Sequence, residues 1–298
     1  MTVWYPALPP ADPTATAATV GASPDPSAAP YPAILSSTKV AGFVAPLLVS
    51  HGFVWVSVDG LDTYRYMNNE MFDQPLDILA ALHHVGSSQL EGLAGMIDAD
   101  RAGVIGYSFD GYNTFAMSGA RIDPQYYLDQ CPTPDSTTAG ILSRYSSFNC
   151  APAERWSEFS SQVGADITTS EDGLWRPMTD PRIRAVMPMA GEGWWLFGER
   201  GLAAVDRPVL MIVATKDPLY RENALIFRHM GAPQKSLISF VGPEHLMIYN
   251  ADMVARMAHF AVAFFGYHLQ GQEDLKYYFS EEWVAQHPDL AWGVYSDD

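Results

Sequence analysis

Ser108 lies in Gly106-Tyr107-Ser108-Phe109-Asp110-Gly111, with the short apolar run Gly103–Gly106 leading in and a helix-forming stretch, Gly111–Ala120, leading out. A strand that runs into a serine and turns at once into a helix lifts the hydroxyl above the sheet. Glycines at such a turn remove side chains that would collide with neighbouring strands. The helix N-terminus turns its positive end toward the place where an oxyanion would develop. A serine held this way becomes a nucleophile once a base takes its proton. The usual spacing is Gly-x-Ser-x-Gly; here Asp110 occupies the fifth position and Gly111 follows. Taken by itself, the stretch also fits an ordinary strand–turn–helix junction with a capping serine.

The serine needs a base and an acid, which in this arrangement follow it in the order acid, histidine. Asp217 comes just after the strand-like run Val209–Ala214, and His245 in Gly242-Pro-Glu-His-Leu comes just after Ile238–Val241. Carboxyl ends of parallel strands are where sheet-top sites are built, so Ser108, Asp217 and His245 are expected at one end of the sheet. His51, His83, His84, His229, His259 and His268 fall on predicted helices or at a strand's start. Asp206 precedes its strand and belongs at the opposite end. Glu192, after the strand Ile183–Met189, is the alternative acid, and Asp217 could otherwise be a turn residue before Pro218. In the resulting chemistry Ser108 attacks an acyl carbonyl, His245 takes its proton, and Asp217 orients the imidazole. The backbone N–H of Phe109 and a donor from the loop after Ala33–Ser36, best assigned to Thr38, would hold the oxyanion. Tyr107, Trp194 and Trp195 are candidate substrate contacts, one of the adjacent tryptophans packing inward and one facing outward. Tyr126, Tyr127 and Tyr145 would form the opposite wall. Such surfaces point to apolar or aromatic esters.

The positioning elements read as an alternation of strands and helices. Val3–Ala7, Ala33–Ser36, Phe53–Val58, Gly103–Gly106, Ile183–Met189, Pro208–Ala214 and Ser236–Val241 have strand character. Val40–Ser50, Pro75–Met96, Gly111–Ala120, Arg221–Met230 and Met253–Leu269 have helical spacing. Nearly continuous apolar strands between helices imply an α/β fold, a mostly parallel sheet covered on both faces. Residues 9–30 form a Pro/Ala-rich loop, and residues 121–180 break the rhythm as an irregular, cap-like insertion over the active-site end. All of 1–298 is expected as one domain.

The chain carries 17 Lys+Arg against 34 Asp+Glu, a net charge of −17. Nucleic acid and anionic membranes both demand clustered cations, so neither is an expected partner. The longest apolar runs fall well short of the ~20 residues that a membrane span needs. Met1 is followed directly by Thr-Val-Trp-Tyr, with no basic start and no long apolar core. The two cysteines, Cys131 and Cys150, cannot make a zinc site, and neither a metal nor another cofactor is expected. They are either free thiols or, in a loop with little core of its own, a disulfide worth roughly 3 kcal/mol. The acidic balance and the cysteines point to a secreted or periplasmic protein.

The segments Asp98–Gly111, Tyr31–Leu35, Ser50–Val56, Pro208–Leu210 and Asp217 with Gly242–His245 resemble the bacterial dienelactone-hydrolase-like and platelet-activating-factor-acetylhydrolase-like group. More distantly they resemble cutinase-type polyester hydrolases. The resemblance spans nearly the whole chain outside the linker and the insertion. It implies the α/β-hydrolase fold and an esterase with Ser108, Asp217 and His245 as its triad. It also implies that Val3–Ala7 is an early strand of that fold, with a first strand missing. Asp110 departs from the group's pattern. So does Ser37-Thr38-Lys39, which stands where relatives carry a glycine-containing oxyanion loop. In some relatives the acid follows the preceding strand, the position of Glu192.

Overall fold

A computed structural model describes residues 1–10, 18–37, 40–58, 70–87, 90–131 and 150–296. Its strands are β1 (Thr2–Trp4), β2 (Tyr31–Ser37), β3 (Val54–Val58), β4 (Ile97–Tyr107), β5 (Ile183–Met189), β6 (Val209–Ala214), β7 (Lys235–Phe240) and β8 (Leu290–Trp292). They form one eight-stranded sheet in the order β1-β3-β2-β4-β5-β6-β7-β8, parallel except for β1 against β3 and β8 against β7. The helices that flank it are α1 (Ala41–Ser50), α2 (Glu70–Ser87), α3 (Phe109–Met117), α4 (Pro124–Gln130), α5 (Trp156–Val163), α6 (Ala165–Thr168), α7 (Trp194–Ala203), α8 (Tyr220–His229), α9 (Ala251–Gln270) and α10 (Glu281–Val284). Among the described residues no helix is long and apolar enough to cross a membrane.

The continuous apolar runs of the central strands are explained by two cores. Along β6, Leu210, Ile212 and Ala214 join a cluster with α1 and α9, while Val209, Met211 and Val213 join the cluster with α2, α3, α7 and α8. The side-chain period of two delivers every residue of such a strand to one core or the other.

Several boundaries differ from expectation for identifiable reasons. Ser36 and Ser37 are strand residues of β2, and α1 begins at Ala41 behind Val40, which supplies no side-chain cap; Thr38 lies outside the described residues. Pro75 does not start α2 but sits inside it. A proline there leaves the carbonyl four residues back without its helical donor, and the Tyr112 hydroxyl of α3 donates to that carbonyl, Met71 O. At the other end α2 stops at Ser87, well before Met96. Gly92 and Gly95 both stand at φ 75°, which no helix continues through. β4 is longer than its apolar segment, running back to Ile97 through Asp98, Asp100 and Arg101. β8, α7 and α10 have no counterpart among the elements expected from the sequence, and α4, α5 and α6 lie within the stretch expected to be irregular.

The described part of the insertion packs sideways. Trp156 and Phe159 of α5 stack on Trp175, Phe159 meets Phe72 of α2, and Tyr127 of α4 meets Trp156 and Trp195. Cys131 and Cys150 form a disulfide that closes a loop of sequence separation 19 at the edge of this cluster. Reduction, or the double change Cys131→Ala/Cys150→Ala, is expected to lower stability by roughly 3 kcal/mol on loop entropy. Thermal unfolding with and without reductant measures it, and an unchanged midpoint would show that the insertion holds itself.

Candidate active site

Strand β4 delivers Ser108 at φ 61° and ψ −121°, a backbone state that costs a non-glycine residue about 1–3 kcal/mol. The surroundings hold it there. Ser108 N–H donates to Met189 O at the end of β5 (2.9 Å), and Ser108 O accepts from Gly111 N–H at 2.8 Å. The turn is so tight that a Cβ on Gly106 would stand 2.1 Å from Asp110 O, and one on Gly111 would stand 2.5 Å from Gly191 Cα. The two close approaches therefore fall at 106 and 111. Position 110 is free to carry a side chain, and Asp110 does not disrupt the elbow.

Strands β6 and β7 deliver the other two residues. The loops that follow them are stitched together: Lys216 N–H donates to Pro243 O (3.1 Å) and Gly242 N–H to Thr215 Oγ1 (2.9 Å). Across this seam His245 Nδ1 donates to Asp217 Oδ2 at 2.7 Å. A carboxylate there can only accept, so Nδ1 carries the proton and Nε2 is left to accept from Ser108 Oγ at 3.0 Å. Asp217 is buried, and its Oδ1 accepts from Leu219 N–H at 2.8 Å, which fixes the carboxylate plane. His245 and Ser108 remain half-buried and open to an incoming molecule.

Of the other expected site residues, Phe109 occupies the first position of α3, directly after Ser108. Thr38 and Tyr145 lie outside the described residues. Tyr107 is not a pocket wall: it is buried, and its hydroxyl donates to His245 O, holding the histidine's backbone from below. Burial raises the Tyr107 phenol well above its ordinary range, with the Asp217 charge adding to the effect, so it stays a donor. Neither tryptophan faces outward. Trp195 is 0% and Trp194 4% exposed. Nor do Tyr126 and Tyr127 stand opposite them: Tyr126 packs edge-on against Trp194 (6.2 Å) and Tyr127 against Trp195 (5.9 Å). The four rings share one core because α4 packs on α7. A cavity of about 590 Å³ between α4, α7 and α8, lined by Tyr126, Trp194 and His229 among others, does not include Ser108, Asp217 or His245.

Glu192 lies beside a residue that the sequence did not single out. Glu222 of α8 is fully buried and accepts from Gly193 N–H (2.7 Å) and Trp194 N–H (2.9 Å), capping α7. Its neighbour Asn223 donates to Gly191 O at 2.7 Å. The pair clamps the turn after β5, the same turn that presses on Gly111. Its sequence signal is helical spacing: Glu222 shares an inward face with Ile226. Burial, reinforced by the Glu192 charge, pushes Glu222 up to about 8, against the pull of the two backbone donors.

No protein-family model matches this sequence, and no curated protein matches it.

The raised Glu222 carboxyl has a definite sign. The folded state prefers the neutral form, so its contribution is complete below the ordinary value of 4.5 and is lost as pH rises from there through about 8. Glu222→Gln keeps an acceptor for Gly193 and Trp194 and does not titrate. Denaturant unfolding across that range should show the variant losing less stability with rising pH than the wild type; parallel curves would mean that Glu222 is ionised throughout.

Proposed function

We propose that this chain is a serine hydrolase of the α/β-hydrolase type that cleaves carboxylic esters through an acyl-enzyme. The observation that carries this reading is the continuous hydrogen bonding from Ser108 Oγ through His245 to Asp217, with the serine on a strained turn at a helix N-terminus. A non-catalytic binding protein on the same scaffold is the alternative, and the strained serine bonded to a histidine favours catalysis over it.

In this reading Ser108 Oγ attacks the ester carbonyl carbon while His245 Nε2 takes its proton. Asp217 keeps Nδ1 protonated and stabilises the imidazolium. The oxyanion develops beside the Phe109 N–H at the positive end of α3. Collapse expels the alcohol, which leaves with the proton from Nε2. Water then adds to the acyl carbon, giving its proton to His245, and the carboxylic acid departs as Ser108 regains its hydrogen.

Support for an apolar substrate comes from the surface around His245 rather than from the tryptophans. Leu246, next in the chain, is 66% exposed, and Tyr249 is 73% exposed. Phe43, at the start of α1, meets Tyr249 edge-on at 6.5 Å and is itself 43% exposed. These are large apolar side chains left in water on, or packed against, the short turn that carries His245, suited to covering an apolar or aromatic acyl or alcohol group. The Cys131–Cys150 bridge supports an oxidising location, secreted or periplasmic.

Three outcomes test the reading with p-nitrophenyl esters of graded chain length. Ser108→Ala and His245→Ala should each lose on the order of 10⁴-fold in turnover, and Ser108→Ala should abolish labelling by a fluorophosphonate; wild-type rates in either variant would discard the mechanism. Asp217→Asn should also cost roughly 10⁴-fold by reversing the histidine tautomer, far more than Glu192→Gln, and the opposite ranking would move the acid to Glu192. Leu246→Ser and Tyr249→Ser, exposed changes expected to alter stability by no more than about 0.5 kcal/mol, should raise KM for long-chain or aromatic esters and leave acetate turnover intact. Equal effects on both substrates would separate the rim from substrate preference.

A further inference from the structure

Tyr107 is the last residue of β4 and stands one position before the nucleophile. It is buried on the side of the sheet covered by α1 and α9, in the cluster that also holds Met247 and Ile248 of the turn His245–Tyr249. Its hydroxyl donates to His245 O, and the N–H of Ile248 is directed at the same phenol oxygen. The ring stands 5.6 Å from the imidazole, tilted at 46°. One side chain from the nucleophile's strand thus holds the base's turn at two backbone groups.

A buried tyrosine hydroxyl ordinarily finds some partner, so the choice of partner is what matters. In the sheet, β5 and β6 stand between β4, which leads to Ser108, and β7, which leads to His245. Three strand spacings amount to roughly 14 Å, yet Ser108 Oγ and His245 Nε2 are 3.0 Å apart. The other bonds that seat the histidine run from Nδ1 to Asp217, from Lys216 N–H to Pro243 O and from Gly242 N–H to Thr215 Oγ1. These tie the exit of β7 to the exit of β6 and do not reach β4. Without a direct tie, the Ser108–His245 separation would carry the combined play of three strand pairings. The turn is five residues long and departs from helical geometry at Leu246 (φ −83°, ψ 17°), so its internal bonds do not fix where His245 stands relative to β4.

We infer that Tyr107 is a positioning residue for the base: by tying the His245 carbonyl to the strand that carries Ser108, it sets the distance between Ser108 Oγ and His245 Nε2. The inference rests on the proposed hydrolase reading. Tyr107 touches no reacting atom. A phenylalanine would fill the same space and leave the turn untied.

The test uses the full chain with a p-nitrophenyl ester, each rate being referred to the folded fraction measured by circular dichroism. Tyr107→Phe should lower kcat by about 10- to 100-fold, since a misplacement of about 1 Å costs up to ~10²-fold. KM should stay within about twofold, because ester binding does not use the base. Replacing Tyr107 by p-aminophenylalanine restores a donor on the same ring and should return kcat to within about threefold of the wild type. The decisive comparison is His245→Ala with and without Tyr107→Phe, in the absence and presence of imidazole as a diffusing base. A residue that acts through His245 has nothing to act on there, so the residual and imidazole-rescued rates of the two proteins should agree within about twofold. A hydroxyl that supported the elbow or the fold at large would lower the rate in both backgrounds alike. Undiminished kcat in Tyr107→Phe, a loss with p-aminophenylalanine as large as with phenylalanine, or the full loss persisting in the His245→Ala background overturns the inference. An inactive wild type that a fluorophosphonate does not label removes the hydrolase reading and this inference with it, whereas an active wild type matched by Tyr107→Phe removes the inference alone.

Discussion

The backbone of Ser108 is held in an unfavourable state by three segments that approach one another more closely than side chains allow. Gly106 gives way to the carbonyl of Asp110, and Gly111 gives way to Gly191. Met189 O, at the end of β5, takes the serine's own N–H. A Cβ at either glycine would have to push the α3 N-terminus off the sheet, and the serine would relax to an ordinary conformation. The arrangement of the site depends on this contact between the exit of β4 and the exit of β5, since it sets where the hydroxyl stands relative to His245.

The rest of the sheet's carboxyl edge is built to keep that contact from loosening. Glu222 and Asn223 of α8 hold the Gly191–Trp194 turn against α3. The same helix follows directly on the loop that carries Asp217, so that carboxylate and the support for the elbow lie on adjoining stretches of chain. Tyr107, one residue before the serine, reaches across to the carbonyl of His245. Tyr112 satisfies a carbonyl of α2 that Pro75 leaves open. On the proposed reading these bonds serve preorganisation: the donors and the base are in place before substrate arrives, and little reorganisation remains for the reaction itself.

The aromatic residues divide sharply by location. Trp156, Trp175, Trp194, Trp195, Tyr127 and Phe159 interlock along the flank of α2, α4 and α7 and fasten the insertion to the body of the molecule. Large apolar groups left in water come from elsewhere, from the start of α1 and the short turn that His245 opens. The interlocked core and these exposed groups thus draw on different parts of the chain.

The sequence by itself determined the alternation of elements, the parallel sheet and the three residues that meet at its edge. Those features depend on local information: apolar runs, turn residues, and the rule that loops at one end of a parallel sheet converge. The serine's neighbours Gly106 and Gly111 were equally legible as close-approach positions, whereas the tolerance of Asp110 between them was not. Its carboxylate accepts from Ser37, seventy-three residues earlier in the chain at the end of β2. Tertiary structure alone decided which of two adjacent tryptophans would face outward, and the answer was neither, because α4 covers both. It also decided between Glu192 and Asp217, since both follow strands at the same edge and only the docking of the β6 and β7 loops brings one of them to His245 Nδ1. Pairings between distant segments leave no periodic trace in a single chain; they arise when the sheet closes and its neighbours fall into register.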